Sequence, residues 1–504
     1  MSLVRKNIIA NLLGSGWMAL MALAFIPVYL RQLGIEGWAL AGFMATLLAW
    51  LSLADLGLAP TMSREMARFS AGAHTEQEIR DHLRSAELLY GGITIVVVLS
   101  LWVGAEWMAG HWLRPEQLSS ESVRLCIVLM GVAIAARIVE QLYRSSIEGL
   151  QHQLGLNVAR ALNATLQWGG AAVVVLYVSP TVEAFFAWQA AIGWVGTALL
   201  ALLTYRWLPS GTRTARWDGN AVRNVRRFAT GMAVISALAV LLTQVDKLLL
   251  SALVSLEQFG YYMLASTISG ALFLFITPLA TAVAPRLTAL VAKKENDAVI
   301  SVYHIASQWV SVLLIPPALV MAFFAEPLVW VWIGDHHVAQ VAATFLTPLA
   351  IGTLINGFMH VPYRTQLAYG WTGLTVRANL FAVGILIPAI LLTVPDYGAI
   401  AAAWVWVTLN AGYVLFAIPA MHRKILSGEM WRWYGEDVLK VLVAGLAVVG
   451  VASTMPILLD SRLSMAGALL AITTIALAAT ILVTKDVRSL CLVELGKLRR
   501  MMNE

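Results

Sequence analysis

The 504-residue chain contains little charge and almost no cysteine. Charged residues make up 12% of it, about half the share that is usual in soluble globular proteins. Its two cysteines, Cys126 and Cys491, form no CxxC pattern, and its histidines do not cluster at the spacing of metal ligands. A soluble globular fold is therefore excluded, and neither a disulfide nor a metal site is indicated. The pair His336 and His337 is better interpreted as a solvated loop tip than as a metal site.

Two further features are missing from the sequence. No Gly-rich phosphate loop of the Walker type occurs, so we expect neither direct ATP hydrolysis nor a cofactor. There is no solvated basic domain, although the net charge is +6, so nucleic acid is not expected as a partner. The basic excess is instead interpreted as a topology signal and as attraction to anionic lipid headgroups.

Hydrophobic residues account for 60% of the chain, and the mean hydropathy is +0.77. Continuous apolar runs of about 20 residues recur, each enough for the roughly 30 Å of a bilayer's hydrocarbon core. Because backbone groups must be paired within lipid, such runs predict helices. We predict an all-α integral membrane protein with about 14 transmembrane helices, at approximately residues 9–30, 38–58, 86–108, 123–144, 159–178, 182–207, 228–253, 258–284, 305–325, 341–363, 373–393, 398–420, 438–456 and 463–484.

The positions of lysine and arginine predict the orientation. With a cytoplasmic N-terminus, most of the 34 basic residues fall at cytoplasmic helix ends or loops, as the positive-inside rule requires. The C-terminus is then cytoplasmic as well. The densest basic cluster follows helix 6 and consists of Arg213, Arg216, Arg223, Arg226 and Arg227.

An internal repeat divides the chain into two halves. The segment AEWMAGHWL begins at Ala105, and AEPLVWVWI begins at Ala325, 220 residues later. The same offset relates Arg144 to Arg364, each of which follows a tyrosine. Two membrane-embedded halves of this kind are the ground plan of many secondary transporters, in which the working site lies between them.

We predict four regions from this repeat. Helices 1 to 6 form an N-lobe at residues 1–208, a basic cytoplasmic linker follows at 209–227, and helices 7 to 12 form a C-lobe at 228–424. Residues 425–504 add helices 13 and 14 and a cytoplasmic tail outside the repeat. Six spans is an even number, so both lobes enter the membrane in the same direction around a central cavity.

The strongest local signal is a charged stripe in helix 4. Arg137, Glu140, Arg144 and Glu148 are spaced i, i+3, i+7 and i+11, which puts them on one helix face with alternating signs. A charge within the membrane costs on the order of 3 kcal/mol, so such residues normally face a bundle interior or a wet cavity. We favour a cavity-lining role, while a purely structural ladder of neutralising charges stays open as the alternative.

Helix 7 contains a second pair of charges, Asp246 and Lys247. Adjacent helical residues point about 100° apart, so we expect each of them to need a partner elsewhere. Asp246 is the first candidate for a carboxylate that couples transport to H⁺ or Na⁺, and a salt bridge that locks one conformation is the alternative. Glu140 is a further coupling or gating candidate. Asp55, near the inner end of helix 2, is a weaker one that also fits a capping or snorkelling role.

Four segments resemble a known family. The stretch from Tyr29 to Phe69, which contains YLRQLGIEGWALAGF and LSLADLGLAPTMSREMARF, resembles the first helical hairpin of Wzx-type oligosaccharide flippases. LLTQVDKLLLSALVSLEQFGYYMLAST, EPLVWVWIG and PYRTQLAYGWT are similar to later segments of that family. It belongs to the polysaccharide transport branch of the multidrug/oligosaccharidyl-lipid/polysaccharide exporter superfamily. The resemblance covers roughly residues 1–425.

The resemblance implies a flippase of the bacterial inner membrane. Its substrate would be an undecaprenyl-diphosphate-linked oligosaccharide, an O-antigen or exopolysaccharide repeat unit, moved to the periplasmic leaflet by alternating access under an ion gradient or membrane potential. Membrane lipids, a polymerase and other polysaccharide assembly proteins would be its partners. Many members have only twelve helices, so the role of helices 13 and 14 is open. The resemblance implies a cationic substrate cavity around Arg137, Arg144, Lys247, Arg286 and Arg377.

Three alternatives remain at this point. A multidrug exporter of the same superfamily would need cavity carboxylates and aromatic residues for cationic drugs, whereas basic residues are prominent here. A lipid II flippase would share fourteen helices and a cationic cavity. A membrane polymerase or ligase would need catalytic residues in sizeable periplasmic loops, and the predicted outer loops are short. We therefore expect a transporter rather than an enzyme.

Overall fold

The computed structural model describes residues 3–455 and 461–493, and only the backbone for residues 3–10, 12 and 220–236. Within these ranges the chain is helical and contains no β-strand. The side chains of Arg223, Arg226 and Arg227 in the predicted basic cluster lie outside the description, as does the end of the predicted cytoplasmic tail. The predicted all-α class is confirmed.

The chain forms two compact units, Met1–Gly260 and Tyr261–Glu504. This division does not test the predicted linker between the lobes at 209–227, which stays a prediction. The first unit contains the helices α1 (Leu3–Ala24), α2 (Ile26–Leu51), α3 (Leu58–Ser70), α4 (Glu76–Trp107), α5 (Ser120–Gly149), α6 (Gln153–Ala164), α7 (Gly170–Val173), α8 (Val182–Trp207) and α9 (Gly219–Leu253).

The chain passes into the second unit within α10 (Leu256–Gly270). The helices that follow are α11 (Phe273–Ala292), α12 (Asn296–Phe323), α13 (Ala325–Ile333), α14 (His336–Phe358), α15 (His360–Ala368), α16 (Gly373–Tyr397), α17 (Ala399–Gly412), α18 (Ile418–Lys424), α19 (Met430–Arg432), α20 (Lys440–Thr454) and α21 (Arg462–Val483). Wider π-helical turns continue several of them, among others at 165–169, 413–417 and 433–439.

Twelve helical stretches of the described residues are long and apolar enough to cross a membrane. The predicted fourteen spans are close to this number. Two predicted spans, at 9–30 and 228–253, have no counterpart among these twelve stretches. They fall on α1 and α9, where the structure describes only the backbone of some residues. The first two predicted spans are separated at Gly34, where φ is 72° and ψ is 179° within α2. Glycine has no Cβ, so it adopts this backbone conformation without the strain that other residues meet.

Helix α5 is central to the first unit and packs against α3, α4 and α8. Small residues let α8 approach closely: a Cβ on Gly193 would lie only 3.2 Å from the Ala136 Cβ. The Thr197 hydroxyl donates a 2.9 Å hydrogen bond across this contact to the Ala136 carbonyl oxygen. This packing fixes the rotation of α5 and hence the direction in which its charged stripe points.

Helix α12 has the corresponding place in the second unit, where it packs against α11, α14, α20 and α21. The C-terminal helix pair is therefore part of the compact core of this unit. Helix α20 approaches α12 closely at Gly445, where a Cβ would lie 2.7 Å from the Ile315 Cγ2. An alanine here would force the two helices apart or displace the isoleucine.

Candidate functional site

A cavity of about 410 Å³ lies within the first unit. Its walls come from α1, α2, α5, α6 and the π-helical turn that continues α6. Its polar lining consists of Ser52, Arg137, Glu140, Gln141, Arg144, Arg160, Asn163 and Gln167, and the remaining wall consists of Met18, Ala45, Leu48, Ala49, Ala164 and Trp168.

Three members of the predicted stripe in α5 line this cavity: Arg137, Glu140 and Arg144. Arg137 is held in place from two sides. Its Nη1 donates a 2.7 Å hydrogen bond to Glu140 Oε2, and its Nη2 donates another to Gln167 Oε1. The Gln167 amide in turn donates to Gln189 Oε1 of α8 at 2.5 Å. The Arg137 charge is thus compensated within the protein.

Two other arginines of the cavity are much less engaged. The Arg144 Nε lies 3.5 Å from Glu148 Oε1, which is close enough for an ion pair. That Nε is buried and has no hydrogen-bond partner among the described residues. Arg160 of α6 is half-buried and forms neither a hydrogen bond nor an ion pair with any residue whose side chain is described. With three arginines and one glutamate in its lining, the cavity has two formal positive charges in excess.

Asp246 and Lys247, for which we expected partners elsewhere, contact each other, and each of them has a further contact as well. The Lys247 Nζ lies 3.2 Å from Asp246 Oδ2 and donates a second hydrogen bond, of 3.0 Å, to the Thr243 carbonyl oxygen. The lysine side chain is long enough to fold back along α9, so the 100° between neighbouring residues does not keep the charges apart. This pair does not line the cavity of the first unit.

Asp55 is buried at the break between α2 and α3. Leu56 and Gly57 both have positive φ there, 50° and 79°, and the Asp55 carboxylate accepts the Ala59 backbone N–H at 3.1 Å. The Tyr90 hydroxyl donates a further hydrogen bond to it. The carboxylate therefore stabilises the start of α3 in the way that a capping residue does.

The remaining predicted cavity residues belong to the second unit. Arg286 is exposed on α11. Arg377, in the second turn of α16, lines a separate cavity of about 520 Å³ between α16 and α17. That cavity is almost wholly apolar, and Tyr413 and Thr408 are its other polar residues.

The family-model comparison identifies the family. The model described as "Polysaccharide biosynthesis protein" matches residues 4–291, more than half of the chain. The chain belongs to this family. A second model, MatE, matches residues 232–392. These matches confirm the resemblance seen in the sequence. The protein is a multi-pass membrane transporter.

The chain is also similar to a described relative in sequence and to solved structures in fold. A Shigella flexneri protein described as "Putative O-antigen transporter" is 20% identical over 405 residues, which cover 80% of this chain and 93% of that protein. The fold is similar to that of the lipid II flippase MurJ in an inward closed conformation, with a TM-score of 0.73 at 14% identity over 96% of this chain and 99% of MurJ. An inward-facing multidrug resistance MATE family transporter has a TM-score of 0.66 at 12% identity, over 82% and 96% of the two chains.

The sequence alone did not predict the whole lining of the first unit's cavity. Arg160, Asn163 and Gln167 were not among the predicted site residues, and yet all three line the cavity. Their spacing of i, i+3 and i+7 is the same one-face pattern that singled out the stripe in α5. The i, i+3, i+7 pattern was therefore available in the sequence, but a single charge among amides is a weaker signal than four alternating charges.

Proposed function

We propose that the protein flips an undecaprenyl-diphosphate-linked oligosaccharide from the cytoplasmic to the periplasmic leaflet of the bacterial inner membrane by alternating access. The observation that carries this proposal is the cationic excess of the cavity in the first unit, in a chain of the polysaccharide biosynthesis family. A diphosphate that joins a lipid to a sugar has one negative charge on each phosphate. Two formal positive charges in excess match that charge.

Arginine suits this ligand better than other side chains would. Its planar guanidinium donates paired hydrogen bonds to phosphate oxygens and stays charged in a poorly hydrated site. Arg160 and Arg144 have donors that no described residue occupies. We therefore propose that these two bind the diphosphate directly, and that Arg137, which is already paired with Glu140, shapes the site.

The rest of the lining suits a sugar headgroup. Gln141, Asn163 and Gln167 offer amide donors and acceptors for hydroxyl groups, and Trp168 offers an aromatic face. A volume of about 410 Å³ is within the range of about 300 to 1,000 Å³ that is usual for small-molecule sites. The cavity is thus of a size for part of the headgroup, while the prenyl tail stays in lipid.

An ion gradient or the membrane potential would supply the energy. Asp246 remains the proposed carboxylate for coupling to H⁺ or Na⁺, and its pairing with Lys247 at 3.2 Å supports a site where ion binding competes with an internal salt bridge. Lys247, Arg286 and Arg377 remain proposed contributors to substrate binding from outside the first unit's cavity. Polymerase and other polysaccharide assembly proteins are the proposed partners.

The test is a leaflet assay in cells. The gene is deleted, and undecaprenyl-diphosphate-linked repeat units are probed with a periplasmic glycan-modifying enzyme before and after the membrane is permeabilised. We expect the units to accumulate where the enzyme reaches them only after permeabilisation, and the wild-type gene to reverse this. Delivery to the periplasm at the normal rate without the gene would contradict the proposal.

A second candidate function is multidrug export. The MatE match at residues 232–392 and the multidrug transporter folds favour it. Among the described lining residues of the first unit's cavity, Glu140 is the single carboxylate, and it is already paired with Arg137, which suits a cationic drug poorly. Deletion that changes drug sensitivity while leaving the lipid-linked units correctly delivered would favour this candidate.

A further inference from the structure

A cluster of buried polar side chains joins α12 to the chain segment between α18 and α20 in the second unit. His304 of α12 is 1% exposed, and both of its ring nitrogens contact carboxylates. Its Nδ1 lies 2.5 Å from Asp437 Oδ2, and its Nε2 lies 2.9 Å from Glu429 Oε2. Gln308, one turn further along α12, donates a 2.9 Å hydrogen bond to the other Asp437 oxygen. We call His304, Asp437 and Glu429 the buried triad.

Other charged and titratable groups lie close to the triad on α12, α18 and α19. Those that contact it or act on it electrostatically are Tyr303 of α12, His422 of α18 and Arg432 of α19. The Tyr303 hydroxyl is paired with His422 Nε2 at 3.1 Å. Arg432, which is 44% exposed, reaches Glu429 only at 3.5 Å and also contacts Glu436.

The geometry fixes how many protons the triad holds. Each contact between a ring nitrogen and a carboxylate oxygen needs one proton between its two atoms. Two protons are therefore shared, either on a doubly protonated His304 or as one on the ring and one on a carboxyl group. The same three side chains in an unfolded chain near neutral pH hold about one proton, because both carboxyls are ionised and the imidazole is mostly neutral. Folding of this segment thus takes up about one proton.

We propose that the buried triad is a proton-binding site that docks the segment carrying α19 and α20 on α12. When its second proton leaves, a nitrogen lone pair faces a carboxylate oxygen, and the contact becomes repulsive. Asp437 is fully buried and is also held by Gln308, whereas the Glu429 side chain is 22% exposed. The Glu429 contact therefore opens first, and Glu429 is the route by which the proton exchanges with solvent.

The cost of burying these groups favours a role beyond packing. Taking charges out of water is expensive, and a purely apolar contact between α12 and α20 would often be as stable. The helices already make such an apolar contact at Gly445 and Ile315. In a membrane transporter, buried ionisable groups that pair with each other are typical of proton-binding elements. This inference does not depend on which substrate the protein moves.

The test is a pH titration of the full-length purified protein by infrared difference spectroscopy between about pH 6 and about pH 10. In the wild type we expect imidazole and carboxyl bands that change together in one reversible transition. His304→Gln should remove both bands. His422→Gln is the matched control, because that histidine is equally buried but bonds a tyrosine and a backbone carbonyl, and its spectrum should keep the transition.

Glu429→Gln keeps the experiment decisive if His304→Gln does not fold. A glutamine at this position donates to a neutral His304 without a second proton, so the segment should stay docked while the wild-type transition disappears. Unfolding of the same proteins supplies a second measurement. As the pH rises, the ratio of folded to unfolded protein should fall more steeply in the wild type than in Glu429→Gln. The two slopes should differ by up to a factor of ten per pH unit. Equal pH dependence in the two proteins, or a wild-type infrared transition that survives both substitutions, would overturn the proposal.

Discussion

Arg137 and Glu140 form an ion pair one turn apart on α5, with 2.7 Å between Nη1 and Oε2. Their side chains are 28% and 11% exposed, so the pair faces the cavity and is also partly protected from water. The pair neutralises the charge of Arg137. Arg144 and Arg160 are therefore the arginines of the lining that remain available to bind a ligand. This division of roles determines which substitutions should affect transport and which should affect stability.

Arg160 should be the most sensitive binding residue. A hydrogen bond to a charged group contributes about 1.5 to 3 kcal/mol, so Arg160→Gln should reduce transport of the lipid-linked oligosaccharide by about tenfold to a hundredfold, and Arg144→Gln should act in the same direction. Membrane insertion and protein abundance should stay near normal. The control is Arg124→Gln, which removes a partly exposed arginine of α5 that pairs with Glu121. Normal transport by Arg160→Gln would remove this residue from the site.

The Arg137–Glu140 pair should contribute mainly to stability. Arg137→Gln and Glu140→Gln should each lower the free energy of unfolding by about 2 to 3 kcal/mol. This loss is at or below the low end of what removing one partner of a buried ion pair costs, because Arg137 is partly exposed. The double variant should recover much of this loss, since no charge is then left unpaired. A double-mutant cycle of unfolding free energies in detergent measures the coupling. Simple additivity of the two losses would show that the pair is not coupled.

Asp246 should link transport to an ion gradient. Asp246→Asn should leave substrate binding intact but abolish the acceleration that an imposed H⁺ or Na⁺ gradient gives in proteoliposomes, because an amide binds neither ion as a carboxylate does. Lys247→Gln should abolish translocation. Lys293→Gln serves as the control, since this lysine is exposed at the end of α11. If Asp246→Asn responds to both gradients as the wild type does, another residue couples the ion.

Asp55 should behave as a capping residue. Asp55→Ala removes the acceptor of the Ala59 N–H and of the Tyr90 hydroxyl, and we expect a loss of about 2 kcal/mol in the free energy of unfolding. Asp55→Asn keeps an acceptor oxygen and should preserve transport. A thermal unfolding scan and a transport assay on both variants check this. Loss of transport in a stably folded Asp55→Asn would instead support the coupling role that the sequence also allows.

Much of the architecture follows from the sequence, because lipid leaves few choices for the backbone. Long apolar runs predict the helices, and the cost of membrane charges together with helical periodicity predicts that Arg137, Glu140 and Arg144 share one face. The pairing of Asp246 with Lys247 depends on side-chain rotamers, which periodicity does not determine. The buried triad joins residues more than 120 positions apart, so only the packing of α12 against the C-terminal segment brings them together.

The measurement that tests the account most directly uses purified protein in proteoliposomes that contain an undecaprenyl-diphosphate-linked oligosaccharide. Transfer of the oligosaccharide between leaflets is followed with a glycan-modifying enzyme added outside. The account predicts rapid transfer with the wild type, little above protein-free vesicles with Arg160→Gln, and wild-type rates with Arg124→Gln. Wild-type vesicles that move the oligosaccharide no faster than protein-free vesicles under any imposed gradient would contradict it.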